Sequence, residues 1–247
     1  TFIIPAVAAR FGFGLPASVR MLLIARILVC TAMGIAVGKV LPGLSWKVRM
    51  DWSTMRPLFV FGGWMSVSNI VGPLLVYLDR FMLGALVGVA AVGYYTAPFD
   101  GVMRLLIIPA SLMGAVYPTV SGMLAVGNHD SIHRMYAQSL QKTMLLLVVP
   151  AAVLGIAGPM LLRLWLGSTF ASEGAVAIRI LAFGVFVTAI ARVPLGFLTA
   201  LGRPDVIAKV HTAELLFHVP LAWYLISRYG VPGAALAWTI RVAVDAV

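Results

Sequence analysis

Residues 61–98 read FGGWMSVSNIVGPLLVYLDRFMLGALVGVAAVGYYTAP. The stretch is almost wholly apolar, yet the adjacent acid and base Asp79 and Arg80 lie in its middle, and the pair Tyr94-Tyr95 follows an apolar linker. Charge within a membrane-length apolar run is costly, so it marks a functional site or a structural ion pair. The stretch therefore predicts membrane-spanning helices that carry a few deliberately placed polar groups.

The composition of the whole chain supports a membrane setting. Hydrophobic residues make up 62% of the 247 residues and charged residues only 11%, whereas a soluble domain has about 25% charged residues. So few charges could not cover a water-facing surface. At roughly 20 residues per span plus short loops, there is room for about seven spans. We predict an all-α, polytopic transmembrane helical bundle with six to seven spans.

The net charge and the cysteine and histidine content exclude several classes of site. The net charge is +10, but the basic residues are dispersed, which argues against nucleic-acid binding. The single cysteine, Cys30, excludes an intrachain disulfide and a cysteine-based metal cluster. His129 and His133 are four residues apart in a polar stretch, but without a third ligand we interpret them as parts of a solvated loop. We predict no metal and no cofactor.

Alternate loops differ in basic charge. We predict spans at about 16–40, 57–83, 92–118, 143–166, 175–201, 206–227 and from 231 onward, with polar loops at 41–56 and 127–142 and a short loop near Glu173. The positive-inside rule places the basic loops, at 41–56, 127–142 and 202–209, in the cytoplasm. Asp79 and Arg80 then lie near the outer end of the second span.

The ends of the chain predict a part of a longer membrane protein, because it begins with Thr1 and ends in an apolar run. A faint similarity between residues 2–16 and 217–232 suggests two related halves, as in many secondary transporters. We interpret 1–56 as the end of an N-terminal lobe with a basic cytoplasmic inter-lobe loop, and 57–247 as the C-terminal transmembrane lobe.

A set of short motifs, in this order and spacing, resembles the Wzx-type polysaccharide or O-antigen flippases, in the polysaccharide transporter family of the multidrug/oligosaccharidyl-lipid/polysaccharide flippase superfamily. The resemblance covers nearly the whole chain and implies about helices 6–12 of a larger transporter. The motifs are Phe61-Gly62-Gly63-Trp64, Asp79-Arg80, Gly88, Val92-Gly93-Tyr94-Tyr95, Ile108-Pro109, Tyr117-Pro118, Leu201-Gly202-Arg203-Pro204, Tyr229-Gly230 and Gly233-Ala234-Ala235.

The resemblance implies a transporter rather than an enzyme, in the bacterial inner membrane. Such proteins move polyprenyl-diphosphate-linked oligosaccharides between leaflets, and membrane lipid and other glycan-assembly membrane proteins are the implied partners. We expect alternating access, in which two lobes rock around a cationic cavity. Two alternatives stay open: a cation-coupled exporter or lipid II-type flippase of the same superfamily, and a membrane-embedded glycan polymerase or ligase.

Arginines within the spans are the candidate ligands for a diphosphate, because arginine stays charged and its planar donors match phosphate oxygens. Arg26 and Arg192 have no acidic residue within one helical turn, so we expect them to line an anion site. The rival interpretation is that they pair with another helix or reach toward an interface.

Two further arginines have an aspartate at a spacing of four residues, which allows a pair along one helix face. These are Arg104 with Asp100 and Arg241 with Asp245. Each is either a structural pair or part of the cavity lining, and we keep both arginines among the candidate substrate ligands.

A second group of charged residues is a candidate for ion coupling or gating: Asp79, Arg80, Asp100 and Glu214. Asp79 and Arg80 could cap the outer mouth, form a gate between lobes or couple an ion. Because adjacent residues on a helix do not face each other, we expect a separate partner for each. Glu214, near the middle of its span, is a proton or sodium site, or a partner of Lys209 or of an arginine on another helix.

Overall fold

The computed structural model describes residues 15–40 and 51–245. The chain divides into two compact units, Thr1–Trp52 and Ser53–Val247. In the first unit one helix is described, α1 (Leu15–Val40), as predicted for the first span. Most of the basic loop predicted at 41–56 lies outside the described residues, and the assignment of 1–56 and 57–247 to two lobes stays a prediction.

The remaining described residues form a chain of helices joined by very short turns. In order they are α2 (Trp52–Leu86), α3 (Val89–Met103), a 3-10 turn (Arg104–Leu106), α4 (Ile107–Ala125), α5 (His129–Leu166), α6 (Ser168–Ala200), α7 (Pro204–Tyr229) and α8 (Val231–Val244). No strand occurs in the ranges that the structure describes. The predicted all-α bundle is confirmed.

Five segments are long and apolar enough to cross a membrane, so the chain is a multi-pass helical membrane protein. They are Val19–Val40, Met55–Leu86, Val89–Ala125, His129–Leu166 and Ser168–Ala200. Helix α7 has 26 residues, about 39 Å at 1.5 Å per residue, but its polar residues keep it out of that set. It still has the length to span a bilayer, as the sequence predicts.

Residues 129–142 of the polar stretch at 127–142 are helical, so the interpretation of the stretch as a loop was wrong. Helix α5 begins at His129, and the side chain of Asn128 accepts a hydrogen bond from the Ser131 backbone N–H at 3.1 Å. The loop predicted near Glu173 is likewise the first part of α6. Hydropathy reports the environment of a segment and not its winding, so a helix that continues beyond the apolar layer was mistaken for a loop.

The third predicted span is a helix interrupted at its middle. The 3-10 turn at Arg104–Leu106 separates α3 from α4. Pro109 gives the physical reason, because its ring clashes with the carbonyl of the residue four positions earlier and it has no N–H to donate to that carbonyl. That carbonyl belongs to Leu105, in the turn.

Helix α6 lies at the centre of the second unit and packs against α3, α4, α5, α7 and α8. Its approach to α8 depends on a glycine: a Cβ at Gly184 would lie 2.5 Å from Cζ3 of Trp238 and 2.6 Å from Oγ1 of Thr239. Trp238 is 1% exposed and stacks edge-to-face on Phe99. Small residues allow this close packing between membrane helices, which provides a rigid wall for the cavity described next.

Candidate functional site

A cavity of about 560 Å³ opens inside the second unit and is lined mainly by α2, α4, α6, α7 and α8. We call it the arginine cavity, because both Arg192 and Arg241 line it. His211 and Asp245 also reach it, and α2 contributes the uncharged polar residues Ser68 and Asn69, among others. A cavity that carries charged and polar side chains within an apolar bundle is the arrangement that a hydrophilic cargo requires.

Arg192 is a cationic side chain at the wall of this cavity, and no ion-pair partner for it lies within the described residues. Its side chain is exposed and lines the cavity, and it makes no hydrogen bond or ion pair within the described ranges. Asp245 and Tyr117 lie within its electrostatic reach. An unpaired guanidinium at a cavity wall can present several N–H donors to one oxyanion. The structure thus shows Arg192 at the cavity wall, and its role in binding an anion stays a prediction.

Arg241 belongs to a buried group of charged residues that we call the carboxylate cluster, formed by His211, Glu214, Arg241 and Asp245. Arg241 Nη1 lies 3.6 Å from Glu214 Oε2 and 3.9 Å from Asp245 Oδ2. His211 Nε2 lies 3.9 Å from Asp245 Oδ1. Both interpretations left open for Arg241 and Asp245 hold, because the two residues form an ion pair and both line the cavity. One interpretation of Glu214 was a pair with an arginine on another helix, and Arg241 of α8 is such a partner.

A second group of polar residues lies near the C-terminal end of α2, and its central residues are fully buried. Asp79 and His218 are both 0% exposed, with Asp79 Oδ1 2.8 Å from His218 Nε2. The Tyr95 hydroxyl donates to Asp79 Oδ2 at 3.4 Å. We call these three residues the aspartate latch, because they connect α2, α3 and α7. The sequence analysis did not single out His218.

Arg80 pairs with Asp100 of α3, with Nη2 2.7 Å from Oδ1. The expectation that Asp79 and Arg80 have separate partners is therefore confirmed. Of the two interpretations left open for Arg104 and Asp100, the structural pair is not formed, because Asp100 pairs with Arg80. Arg104 is exposed and begins the 3-10 turn. The change of winding at Arg104 ends the α-helical spacing on which that prediction depended.

Arg104, His129 and His133 do not line the arginine cavity. Arg26 is exposed on α1, in the first compact unit, and its proposed anion-binding role stays a prediction, as does that of Arg104. His129 and His133 are exposed at the start of α5. A different trio, His211, Glu214 and Asp245, offers one ligand atom each within 4.8 Å of one another. No local spacing in the sequence joins Asp245 to His211 and Glu214.

Comparison with known proteins identifies the family. A profile of the family described as "polysaccharide biosynthesis protein" matches residues 1–173. The chain belongs to this family. It is 32% identical to a Shigella flexneri protein named "Putative O-antigen transporter", over 99% of this chain and 57% of that protein. It is 24% identical to the Haloferax volcanii protein named "Probable low-salt glycan biosynthesis flippase Agl15", over 81% of this chain and 42% of that protein.

These matches confirm the resemblance that the motifs indicated. The chain spans about half the length of the curated relatives it matches. No solved structure matches this chain.

The structure gives a physical reason for the glycines in the motifs of this chain. Gly88, Gly202 and Gly230 have φ angles of +128°, +74° and +59°. Side chains with a Cβ rarely adopt this region, so glycine is the residue that permits these tight helix-to-helix turns. The turns at Gly88 and Gly230 fix where α3 and α8 begin. The turn at Gly202 fixes the start of α7, which contributes to the cavity and to the carboxylate cluster.

Proposed function

We propose that the protein containing this chain translocates a polysaccharide precursor, a polyprenyl-diphosphate-linked oligosaccharide, across the bacterial inner membrane by alternating access. The observation that carries the proposal is the arginine cavity, in which a guanidinium without a partner, Arg192, lies at the wall of a hollow apolar bundle. The family assignment and the names of the relatives support the same class of cargo.

The chemistry of the cargo explains why such a cavity is needed. Sugars and a diphosphate must cross a hydrocarbon layer about 30 Å thick, where neither is soluble. A cavity of about 560 Å³ is within the range of about 300–1,000 Å³ that small-molecule sites occupy. Arg192 and Arg241 would hold the diphosphate by charge-assisted hydrogen bonds, and the uncharged polar residues of α2 would face the first sugars.

The alternatives are less well supported by this cavity. An exporter of cationic drugs needs acidic ligands, whereas the charged side chains that line the cavity are two arginines and one aspartate, Asp245. A glycan polymerase or ligase would be an enzyme, whereas the relatives are named as a transporter and a flippase. A lipid II-type flippase would also carry a lipid diphosphate, so the same arginines would serve it.

We propose that the aspartate latch and the Arg80–Asp100 pair close the outer side of the lobe. Asp79 lies seven residues before the end of α2 at Leu86, about 10 Å along the helix axis. The aspartate latch connects α2 to α3 and α7. On the N-terminal side of the latch, the cavity lies between α2 and the other helices. Opening the cavity outward would then require these polar contacts to separate.

The proposed orientation follows the positive-inside rule, with residues 127–142 in the cytoplasm and the α5–α6 turn outside. Cysteine labelling of the full-length protein tests it. After Cys30→Ser removes the cysteine of this chain, Ser131→Cys should react only with reagents that reach the cytoplasm, and Ser172→Cys with impermeant reagents added outside. The reverse pattern would overturn the orientation.

The anion site is tested by export of the glycan in cells that depend on the full-length protein. Arg192→Gln should reduce export by at least about tenfold, because one charged hydrogen bond contributes about 1.5–3 kcal/mol and 1.4 kcal/mol is about tenfold. Arg179→Gln is the matched control, since Arg179 lies on the same helix, is exposed and does not line the cavity.

Membrane levels of each variant are measured in parallel, so that a loss of protein is separated from a loss of transport. Normal export by Arg192→Gln at a normal protein level would contradict the proposed role of the cavity. Equal losses in Arg179→Gln would show that the effect does not belong to the cavity.

A further inference from the structure

A second depression lies where the N-terminal parts of α2 and α7 approach each other, and we call it the basic groove, because Arg56 and Lys209 line it. It has a volume of about 710 Å³, and none of its lining residues also lines the arginine cavity. One wall is apolar, since Leu58, Val60 and Phe61 of α2 line the groove and are exposed. Such side chains on a membrane-spanning helix are as apolar as the lipid tails around them. This wall therefore suits an acyl chain.

Positive charge accompanies this apolar wall. Arg56 is exposed and makes no hydrogen bond or ion pair within the described residues, and Lys209 Nζ lies 5.3 Å from the ring centroid of Trp64. The carboxylate that lines the groove, Asp205, is shared: it lies 3.4 Å from Lys209 Nζ and 3.0 Å from Nε of Arg203. Three cations and one carboxylate leave a net charge of +2 beside the apolar wall.

We propose that the basic groove binds an anionic phospholipid of the membrane, whose phosphate contacts Arg56 and Lys209 and whose acyl chains lie along Leu58 and Phe61. Basic pockets between membrane helices recognise anionic headgroups in this way, and a tryptophan beside them suits the headgroup level of a bilayer. The described residues that line the groove include no serine, threonine, asparagine or glutamine. An oligosaccharide would find no neutral hydroxyl or amide side chain there, so the chemistry favours a phospholipid over a glycan-carrying lipid.

A lipid bound in the basic groove would join two helices. Arg56 belongs to α2 and Lys209 to α7, and the aspartate latch connects the same two helices farther along each of them. The arginine cavity lies between the groove and the latch, where Ser68 of α2 and His211 of α7 line it. A headgroup that binds Arg56 and Lys209 together would thus hold α2 against α7 at the end of the cavity opposite the latch.

The test measures phospholipid binding by the purified full-length protein in a neutral detergent, with native mass spectrometry as the readout. Phosphatidylglycerol is compared with phosphatidylcholine that carries the same acyl chains. One basic side chain near an anionic lipid surface contributes about fivefold to affinity, so with two such side chains the wild type should bind phosphatidylglycerol about 25-fold more tightly. Phosphatidylglycerol should also raise the melting temperature more than phosphatidylcholine does, because it binds the folded state.

Two variants of the basic groove should change the preference in opposite directions. Arg56→Gln/Lys209→Gln should bind the two lipids equally, because both cations that contact the phosphate are gone. Asp205→Asn should bind phosphatidylglycerol about fivefold more tightly than the wild type, because the carboxylate that competes for Lys209 is removed. A variant that only damaged the fold would lose binding instead of gaining it.

Two control variants leave the basic groove intact. Arg134→Gln/Lys142→Gln removes two exposed cations of α5 that do not line the groove, so it makes the same change in net charge and should keep the wild-type preference. Arg192→Gln alters the arginine cavity alone and should also keep it.

The outcomes separate the basic groove from the rest of the surface and from the proposed function. Equal binding of the two lipids by the wild type overturns the proposal, and so does a preference that survives in Arg56→Gln/Lys209→Gln. An equal loss in the α5 control would show that the basic surface as a whole attracts the lipid, which also overturns it. Competition by soluble glycerol phosphate at the concentration of phosphatidylglycerol would show that the occupant is a free phosphate ester and not a lipid. Each of these results leaves the proposed function of the arginine cavity standing, because the two sites share no lining residue.

Discussion

Replacing His218 and replacing Asp79 in the aspartate latch should lower the free energy of unfolding by different amounts. His218→Leu leaves the Asp79 carboxylate, which is 0% exposed, with only the Tyr95 hydroxyl at 3.4 Å. One unsatisfied buried polar group costs about 1–3 kcal/mol, and more if the group is a carboxylate rather than an imidazole. Asp79→Leu leaves the His218 imidazole without its partner, so it should cost less than His218→Leu.

The double variant Asp79→Leu/His218→Leu is the sharper test. With both polar groups replaced by apolar ones, neither is left without its partner. Its cost should be less than the sum of the single costs by more than about 1.7 kcal/mol, which is the largest coupling found for polar pairs between membrane helices. Tyr95→Phe is the control, because it removes the long hydrogen bond alone and should cost about 0.6 kcal/mol, the average for such bonds.

The assay is reversible unfolding of the full-length protein in mixed detergent micelles, followed by circular dichroism. The free energy of unfolding of each variant is compared with that of the wild type at one pH. If His218→Leu costs no more than Tyr95→Phe, or if the two leucine substitutions add without coupling, Asp79 and His218 do not form the buried pair described here.

Two further predictions concern packing and pH. Gly184→Ala should lower the free energy of unfolding by about 1–3 kcal/mol, the usual cost of overpacking, because its Cβ would lie 2.5 Å from Trp238 and 2.6 Å from Thr239. Gly114→Ala, with open space at its Cβ, should not lower it. Equal free energies of unfolding for the two variants would refute the close approach. The hydrogen bond from Arg203 lowers the pKa of Asp205. The stabilisation that this hydrogen bond gives is therefore present above the ordinary carboxyl pKa and is lost as pH falls through the lowered pKa. Arg203→Gln should raise the pKa of Asp205 in an NMR titration, and an unchanged pKa would contradict the role of the hydrogen bond.

The sequence predicted the helices well because apolar runs of membrane length leave the backbone few alternatives to a helix. The spans at 16–40 and 57–83 agree with α1 and α2 to within a few residues, except that α2 begins at Trp52. The errors came where this reasoning does not apply. The polar start of α5 is helical outside the apolar layer, and Pro109 changes the winding inside it.

The candidate site was predicted in part. Arg192 and Arg241 could be named because arginines inside spans are rare, but which of them share a cavity depends on how α6 and α8 pack, which no local spacing specifies. Asp79 was recognised, whereas its partner lies 139 residues away on α7. A signal for that partner did exist: His211, Glu214 and His218 are spaced by three and four residues and share one face of α7.

The length of α5 has a mechanical consequence. Its 38 residues extend about 57 Å at 1.5 Å per residue, so about 27 Å of it lies beyond a hydrocarbon core about 30 Å thick. This part extends the helix beyond the hydrocarbon core, so a tilt of the helix by about 10° would move its end by about 5 Å. A fluorescent or spin label near residue 131 would therefore magnify small rotations of the lobe into distances that are easily measured.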